Sequence, residues 1–423
     1  MQSLDRSSYV EPSGWQRLIR EAVAIGWLCI ASQAVYVLLT LGNALVLSPQ
    51  QEALLRLFVL PSLPLALALF ALRRREMVET LLRLPFLSLF LLLVWASVAW
   101  SLDPGLSLRR ALAVTAYTVI AIWLVLAFEP AALLRRLTWL ALVVLLLSVV
   151  FAVALPGLAF HELGDRVLLR GVFSHKNGLG QHLGLSAILL ATAWQFRLIP
   201  RVWAAFGLLL CLVLAVPTGS ATAFLIMTAL AVVWLAARVM LLPPAIAIAV
   251  GCFGLAVATF GGLAVVLWAE PLFAAFGRDL TLTGRVPLWA FAWGQIAQAP
   301  WLGHGFAVFF DIPWVRSYTM DTLYWFVPNA HNGYLELWLG LGIMGPVLLG
   351  LFLLVAIGRA LVRLRADFSP AAVFAVYYLP IYLLRNTVES DLAAPSTFSW
   401  AVAVIAATMT LRAADPVASA DAR

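Results

Sequence analysis

Lysine is almost missing from this chain. Of its 27 basic residues only Lys176 is a lysine, and it stands in a short polar stretch, Arg170-Gly-Val-Phe-Ser-His-Lys-Asn-Gly-Leu-Gly180, between two apolar runs. Charge of either sign is also scarce. Charged residues make up 11% of the chain and apolar residues 64%, with a mean hydropathy of +0.99; soluble domains have about 45–50% apolar and about 25% charged residues. That balance excludes an ordinary soluble protein. Cysteine is limited to Cys29, Cys211 and Cys252, all in apolar runs and without disulfide or metal spacing, so they read as small core residues. There is no short-period repeat and no low-complexity segment. The net charge of +7 is spread along the chain rather than gathered into a stripe, which argues against a nucleic-acid partner.

What the sequence does have is long apolar runs. Stretches of the roughly 20 residues that cross a bilayer recur at residues 22–41, 53–72, 84–100, 111–128, 137–155, 178–194, 202–216, 221–237, 245–268, 333–357, 371–384 and 392–411. Backbone groups in lipid must be satisfied within each segment, so these are expected to be helices. The fold class read from them is all-α, a polytopic membrane helix bundle of about 12 transmembrane helices forming a single integral membrane domain over residues 1–423. The first run is too long for a signal-peptide core and reads as a retained helix. Residues 1–14 and 413–423 read as flexible tails.

Arginine placement orients the bundle. With the N-terminus (Arg6, Arg17, Arg20) on the cytoplasmic side, Arg73, Arg74, Arg75, Arg83, Arg135, Arg136, Arg197, Arg201, Arg238, Arg359, Arg363, Arg365, Arg412 and Arg423 fall there too, as do both termini. Arg56, Arg109 and Arg110 stand apart. The exceptions, Arg166, Arg170, Lys176, Arg278, Arg285, Arg316 and Arg385, cluster in three outside loops. Pairing with Asp165, Asp279 and Asp321 or contact with lipid headgroups accounts for any one of them. As a set they suggest an anionic ligand.

Two outside loops exceed what a connection needs: residues 156–177, and residues 270–332 before the tenth run. The longer is rich in aromatics, and Pro287 near its start with Pro300 as a stop predicts a helix over residues 287–299 that follows Thr283 or Gly284. Its tryptophans fit an interfacial belt or a surface for sugar stacking. Chain direction puts the N-termini of the sixth and tenth helices at the outer face, directly after His175-Lys176-Asn177 and Asn329-Ala330-His331-Asn332. Helix N-termini offer free N–H groups and a positive dipole end, a setting for phosphate. With Arg170, Lys176 and Arg285 nearby, a pyrophosphate is a plausible guest, and a histidine with an ordinary pKa near 6.5 can serve as a general base. His161, His182 and His304 read as hydrogen-bonded or turn residues without a chemical role.

These segments also resemble a family. Gly171-Val-Phe-Ser-His-Lys-Asn-Gly-Leu-Gly180, then Leu282-Thr-Gly-Arg285 with Leu288-Trp289 and Pro300-Trp-Leu-Gly-His-Gly305, then Ala330-His-Asn-Gly-Tyr-Leu-Glu336 with Leu341-Gly-Ile-Met-Gly345, are similar to the ordered motifs of the O-antigen ligase and polysaccharide polymerase superfamily of bacterial membrane glycosyltransferases. The likeness covers residues 166–345; the flanking helices agree only in number. It implies twelve helices in the bacterial inner membrane with a large periplasmic loop between the ninth and tenth. It also implies an undecaprenyl-pyrophosphate-linked glycan as donor, and inverting transfer to a sugar hydroxyl on the periplasmic side. On this chain it makes His331 the catalytic base and Arg170 and Arg285 the diphosphate ligands, with Lys176 assisting and His175, Asn177, Asn332 and Glu336 supporting. Such chemistry needs no nucleotide-binding motif and no cofactor. No compact carboxylate pair stands in the two loops, which argues against a metal.

Three activities remain open at this stage. The first is transfer of a lipid-linked glycan onto lipid A core (a ligase) or onto a growing O-antigen or exopolysaccharide (a polymerase), the His-Lys-Asn form of the first motif favouring the polymerase. The second is a protein O-oligosaccharyltransferase of the same superfamily. The third is a flippase of lipid-linked sugars, disfavoured because spans such as 137–155 and 221–237 lack the mid-membrane polar residues of a transport path.

Overall fold

The structure is a computed structural model, and it describes residues 14–32, 60–163, 166–243, 245–246, 284–324 and 327–412. Residues 247–268 of the run at 245–268, residues 53–59 of that at 53–72, residues 33–41 of that at 22–41, residues 1–13 and 413–423, and Cys252, Asp165, Arg278 and Asp279 lie outside the described residues.

The chain is overwhelmingly helical. Proline starts many of the helices, its fixed φ suiting a first turn and its missing N–H having no partner there anyway. In chain order come α1 (Gly14–Ala31), α2 (Ser62–Leu72), α3 (Arg74–Arg83), α4 (Pro85–Ala96), α5 (Pro104–Ala127), α6 (Pro130–Ala154), α7 (Lys176–Phe196), α8 (Arg201–Thr218) and α9 (Ala221–Val239). After the undescribed segment follow α10 (Arg285–Gln298), α11 (Pro313–Leu323), α12 (Gly333–Leu341), α13 (Met344–Ala366), α14 (Pro370–Arg385) and α15 (Phe398–Met409). Five of the described helices, α5, α6, α8, α9 and α13, are long and apolar enough to cross a membrane. The pair α3 with residues 85–100 is bent by 101° and adds a sixth if counted as one span. The protein is thus a polytopic helical membrane protein.

At the bundle centre α7 packs on α6, α8, α9 and α14, while α5 packs on α2 and α15. Glycines permit the closest approaches: a Cβ on Gly184 of α7 would strike the Ile226 side chain of α9 at 2.5 Å. Several polar groups inside the bundle are paired with one another, as a setting without water favours. Thr118 Oγ1 accepts from Trp400 Nε1 at 3.0 Å while donating to the Val114 carbonyl at 2.7 Å, and Tyr377 donates to Gln195 Oε1 at 3.0 Å.

The two ends of the bundle differ. At the C-terminal end of α5 the last carbonyls have no intrahelical partner, and arginines satisfy them: Arg20 reaches Ala127 O at 3.0 Å, Arg73 reaches Leu126 O at 3.0 Å, and Arg412 reaches Val125 O and Phe128 O at 2.5 and 2.6 Å. At the other end, loops and short helices gather above the bundle around a second small core of Leu288, Ala292, Ile296, Phe309, Val315, Leu335 and Leu339.

Three expectations change. The 156–177 segment is not all loop, and the fold is not purely α. Phe160–Leu163 (β1) pairs antiparallel with Arg166–Leu169 (β2), His161 facing Leu168 and Glu162 facing Val167. The intervening Gly164-Asp165 is a two-residue hairpin signal with a strand-like run after it, overlooked beside the stronger apolar runs. The helix expected over 287–299 begins at Arg285, after Gly284 at φ 82°, and ends at Gln298. The run at 333–357 is interrupted: α12 ends at Leu341 and α13 starts at Met344. Gly342 sits there at φ +64°, and a Cβ on it would collide with the Trp301 carbonyl. An apolar count cannot register a single left-handed residue inside an unbroken hydrophobic stretch.

Candidate active site

The site lies above the N-terminal ends of α7 and α12, and it is assembled by fixing α12 at both ends. At the N-terminus Asn332 is the cap, its Oδ1 accepting from Tyr334 N and Leu335 N at 3.0 and 3.1 Å. Its own N–H donates to Ser390 Oγ at 3.0 Å and its Nδ2 to Thr387 O at 3.2 Å. Gly333 N donates to Asn386 O at 2.8 Å, and a Cβ there would lie 2.5 Å from Asn386 Oδ1. The 386–391 segment therefore touches the start of α12 so closely that only glycine fits. At the C-terminus the Gly303-His304-Gly305 turn donates His304 N to Leu339 O at 2.7 Å and Gly305 N to Gly340 O at 2.9 Å, meeting carbonyls that the helix leaves open. His304 is thus a backbone clasp, its ring nitrogen 3.2 Å from Gln295 O.

His331, immediately before this helix, has φ 47°, a left-handed conformation uncommon for a residue other than glycine. It is held by Asn329 Oδ1, which accepts from His331 N at 3.0 Å, and by Trp289 Nε1, which donates to Ala330 O at 2.9 Å. Such backbone strain persists where surrounding contacts over-determine it, and it concentrates at functional sites.

The first loop is organised by the hairpin. Arg170 N and Gly171 N both donate to Ala159 O, at 2.8 and 3.0 Å. Arg170 is 4% exposed, with its Nε donating to Leu158 O at 2.9 Å and Nη1 3.4 Å from Ser174 O. His175 caps α7, its Nδ1 accepting from Asn177 N at 3.2 Å, and Lys176 occupies the first turn. The His161 ring packs edge-on against that of His175 with centroids 5.0 Å apart. Arg285, first residue of α10, donates to Val388 O at 2.6 Å.

Electrostatics tie these loops together. His331 is pushed down to about 4 by burial, then by the charge on Arg285 and by His175. His175 is pushed down to about 4 by burial, then by His161, Lys176 and Arg170, and His161 is lowered by burial, Arg170 and Lys176. All three imidazoles are therefore neutral near pH 7 in a field set by Arg170, Lys176 and Arg285. The sequence candidates His331, Arg285, His175, Lys176 and Arg170 converge. Asn177 contributes a backbone N–H to the cap, and Asn332 holds the helix rather than the imidazole.

Glu336 points elsewhere. Its Oε2 accepts from Ala330 N at 2.7 Å, and the carboxyl lines a cavity of about 200 Å³ together with Arg110, Phe306, Asn329, Ser390 and Pro395. Burial raises it to about 7, against the lowering effect of the Ala330 N–H and Arg110. Arg110 is anchored by Asp311 at 2.6 Å and by the Ala307 carbonyl. The residues before and after His331 are thus both bonded to groups that line this cavity: Ala330 to Glu336, Asn332 to Ser390.

Sequence reading singled out Arg385 from the 385–391 segment but gave Glu389 and Asp391 no place in the site. Glu389, 6% exposed, accepts from Thr222 Oγ1 of α9 at 2.8 Å; burial raises its carboxyl, and Thr222 and Arg285 pull it back. Behind it Arg385 pairs with Asp391 at 2.5 Å, and Tyr382 donates to the Asp391 carbonyl at 2.6 Å. The signal was available: Arg385-Asn-Thr-Val-Glu-Ser-Asp391 is a dense polar run between two apolar ones. Among the described residues no group of three or more histidine, cysteine or carboxylate side chains is arranged to hold a metal.

Comparison with known proteins meets this geometry. Residues 203–350, which hold Arg285, His331 and Glu336, match the family described as O-Antigen ligase. The resemblance to the O-antigen ligase and polysaccharide polymerase superfamily is borne out. The chain is also similar to the exopolysaccharide production protein ExoQ of Rhizobium meliloti (strain 1021), with 27% identity over 325 residues, covering 72% of this chain and 72% of that relative. These matches support a role in membrane glycan transfer or polymerisation.

Proposed function

We propose that this protein moves a glycan from an undecaprenyl-pyrophosphate-linked donor to a sugar hydroxyl at the periplasmic face, extending an exopolysaccharide or O-antigen or capping lipid A core. The observation that carries it is His331, held in a strained backbone within the field of Arg285, with Ala330 and Asn332 on either side of it bonded to Glu336 and Ser390 of the small cavity. That the Rhizobium relative is an exopolysaccharide production protein favours a growing exopolysaccharide among these acceptors.

In this reading the diphosphate lies against Arg285 and Lys176, with Arg170 adding positive charge from beneath the loop it holds. The acceptor's terminal sugar enters the cavity with its attacking hydroxyl toward His331. The neutral imidazole takes the hydroxyl proton, the oxygen bonds to the anomeric carbon, and the bond from that carbon to the diphosphate breaks, its electron pair leaving on the phosphate oxygen. Attack from the side opposite the leaving group inverts the anomeric centre. The diphosphate is already a competent leaving group, so the protein's contribution is charge stabilisation and proton removal. Asn332 and Glu336 position the histidine through the backbone on either side of it.

The test is a purified assay with lipid-linked donor in which turnover and donor affinity are measured separately. Arg285→Ala should lower turnover by about two orders of magnitude or more, because a charge-assisted contact to the leaving group is lost. Arg285→Lys should restore only part, since a point charge lacks the guanidinium fork. Arg170→Ala should also lower the melting temperature, since it removes the contacts to Leu158 and Ser174 carbonyls. A fully active Arg285→Ala protein rules the diphosphate site out.

A further inference from the structure

A second cavity, larger than the one beside Glu336, lies far from His331. It holds about 940 Å³ and opens at the opposite end of α7, where the helix finishes at Phe196; a 21-residue helix puts it about 30 Å from Lys176 at 1.5 Å per residue. Arg197, Arg201 and Arg238 line it with Trp194 and Trp234, and among the described residues no carboxylate does. The Arg201 guanidinium stacks over Trp194 with its carbon 5.6 Å from the ring centre, and Arg238 over Trp234 at 5.5 Å. Apolar side chains, among them Ala131, Ala191, Ala205 and Leu208, continue the wall into the helices.

These arginines differ from five others at the same end of the bundle. Arg20, Arg73 and Arg412 are consumed in closing α5, and Arg136 and Arg363 pair with Glu21 and Asp367. An arginine that only sets topology can stand anywhere along the interface; here three meet at one concavity. Stacking on indole keeps two guanidiniums in place with their N–H edges unspent, which is how Arg supports an anion beside an aromatic face. We propose that this cavity binds the phosphate headgroup of an anionic membrane phospholipid, with an acyl chain along the apolar wall and the tryptophans at headgroup level. Basic pockets between membrane helices take such headgroups. A lipid is chosen over a soluble phosphate because the charged mouth is continuous with an apolar wall.

The experiment is native mass spectrometry of the detergent-solubilised protein with phosphatidylglycerol or phosphatidylcholine of the same acyl chains. The wild type should retain phosphatidylglycerol preferentially, and each of R197Q, R201Q and R238Q should weaken that preference by about fivefold, the size expected for one basic residue near an anionic surface. Trp194→Ala combined with Trp234→Ala should weaken it also, while Arg201→Lys with Arg238→Lys should keep most of it, which separates loss of a site from loss of the fold. Equal retention of both lipids by the wild type, or an unchanged preference in all three glutamine variants, overturns the proposal. Displacement of the lipid by millimolar inorganic phosphate would show a soluble-anion site instead and overturn the choice of ligand.

Discussion

A base must be neutral to accept a proton, so the environment of His331 fixes the acid side of any pH profile. Its ordinary value would put the loss of activity near pH 6 to 7. Burial, Arg285 and His175 instead hold the imidazole at about 4, so the fraction able to accept a proton is complete at neutral pH and falls only as pH drops through that lower value. The expected profile of kcat/KM, which reports the free enzyme, is flat from neutral pH down to about pH 5 and then declines. Binding of a diphosphate offsets part of the Arg285 charge, so the limb in kcat should lie at higher pH than the limb in kcat/KM. His331→Gln keeps size and hydrogen bonding but has no basic nitrogen, and it should be inactive at every pH while donor affinity stays near wild type. A kcat/KM limb at 6 to 7 would mean a solvated histidine, and a working His331→Gln enzyme would leave His331 a positioning residue only.

At the scale of elements, the segment that matters most is α12, nine residues pinned at one end by Asn332 and the 386–391 segment and at the other by the Gly303–Gly305 turn. Gly342→Ala tests the break that separates it from α13. The change forces a side chain into φ +64° and against the Trp301 carbonyl, a strain on the order of 1–3 kcal/mol. Thermal melting in detergent should fall by several degrees and transfer should fall with it, because His331 and Glu336 both depend on where α12 points. Unchanged melting and activity would mean that α12 and α13 act as one straight span. This element also marks what could be read from the sequence. The apolar runs gave α7, α8, α9 and α14 to within two residues at each end, because hydrophobic length is a one-dimensional property, whereas α5 and α6 each begin seven residues before their runs. The motif loops gave His331, Arg285 and Lys176, because polar residues among apolar runs are conspicuous. The β1–β2 hairpin had a local signal in Gly164-Asp165, but the break at Gly342 and the arrival of Glu389 beside Thr222, 167 residues apart, depend on backbone conformation and long-range packing that no local pattern encodes.

For the whole molecule, polarity is divided between two ends. One end carries the arginines that close α5 and line the large cavity; the other carries the motif loops, the 386–391 segment and the small core of α10 to α12. Arginine near a span favours the cytoplasmic side, so the first end should be cytoplasmic and the candidate active site outside. Ser317 on α11 and Ala366 at the end of α13 are both exposed and belong to opposite ends. In a cysteine-free background, a membrane-impermeant thiol reagent added to intact cells should modify a cysteine placed at Ser317 and leave one placed at Ala366 unmodified until the cells are opened. Labelling in the reverse order would put His331 and Arg285 in the cytoplasm, where a glycan presented on the outer leaflet could not reach them. That result would remove periplasmic transfer while leaving the bundle itself intact, so orientation and fold are separable by one experiment.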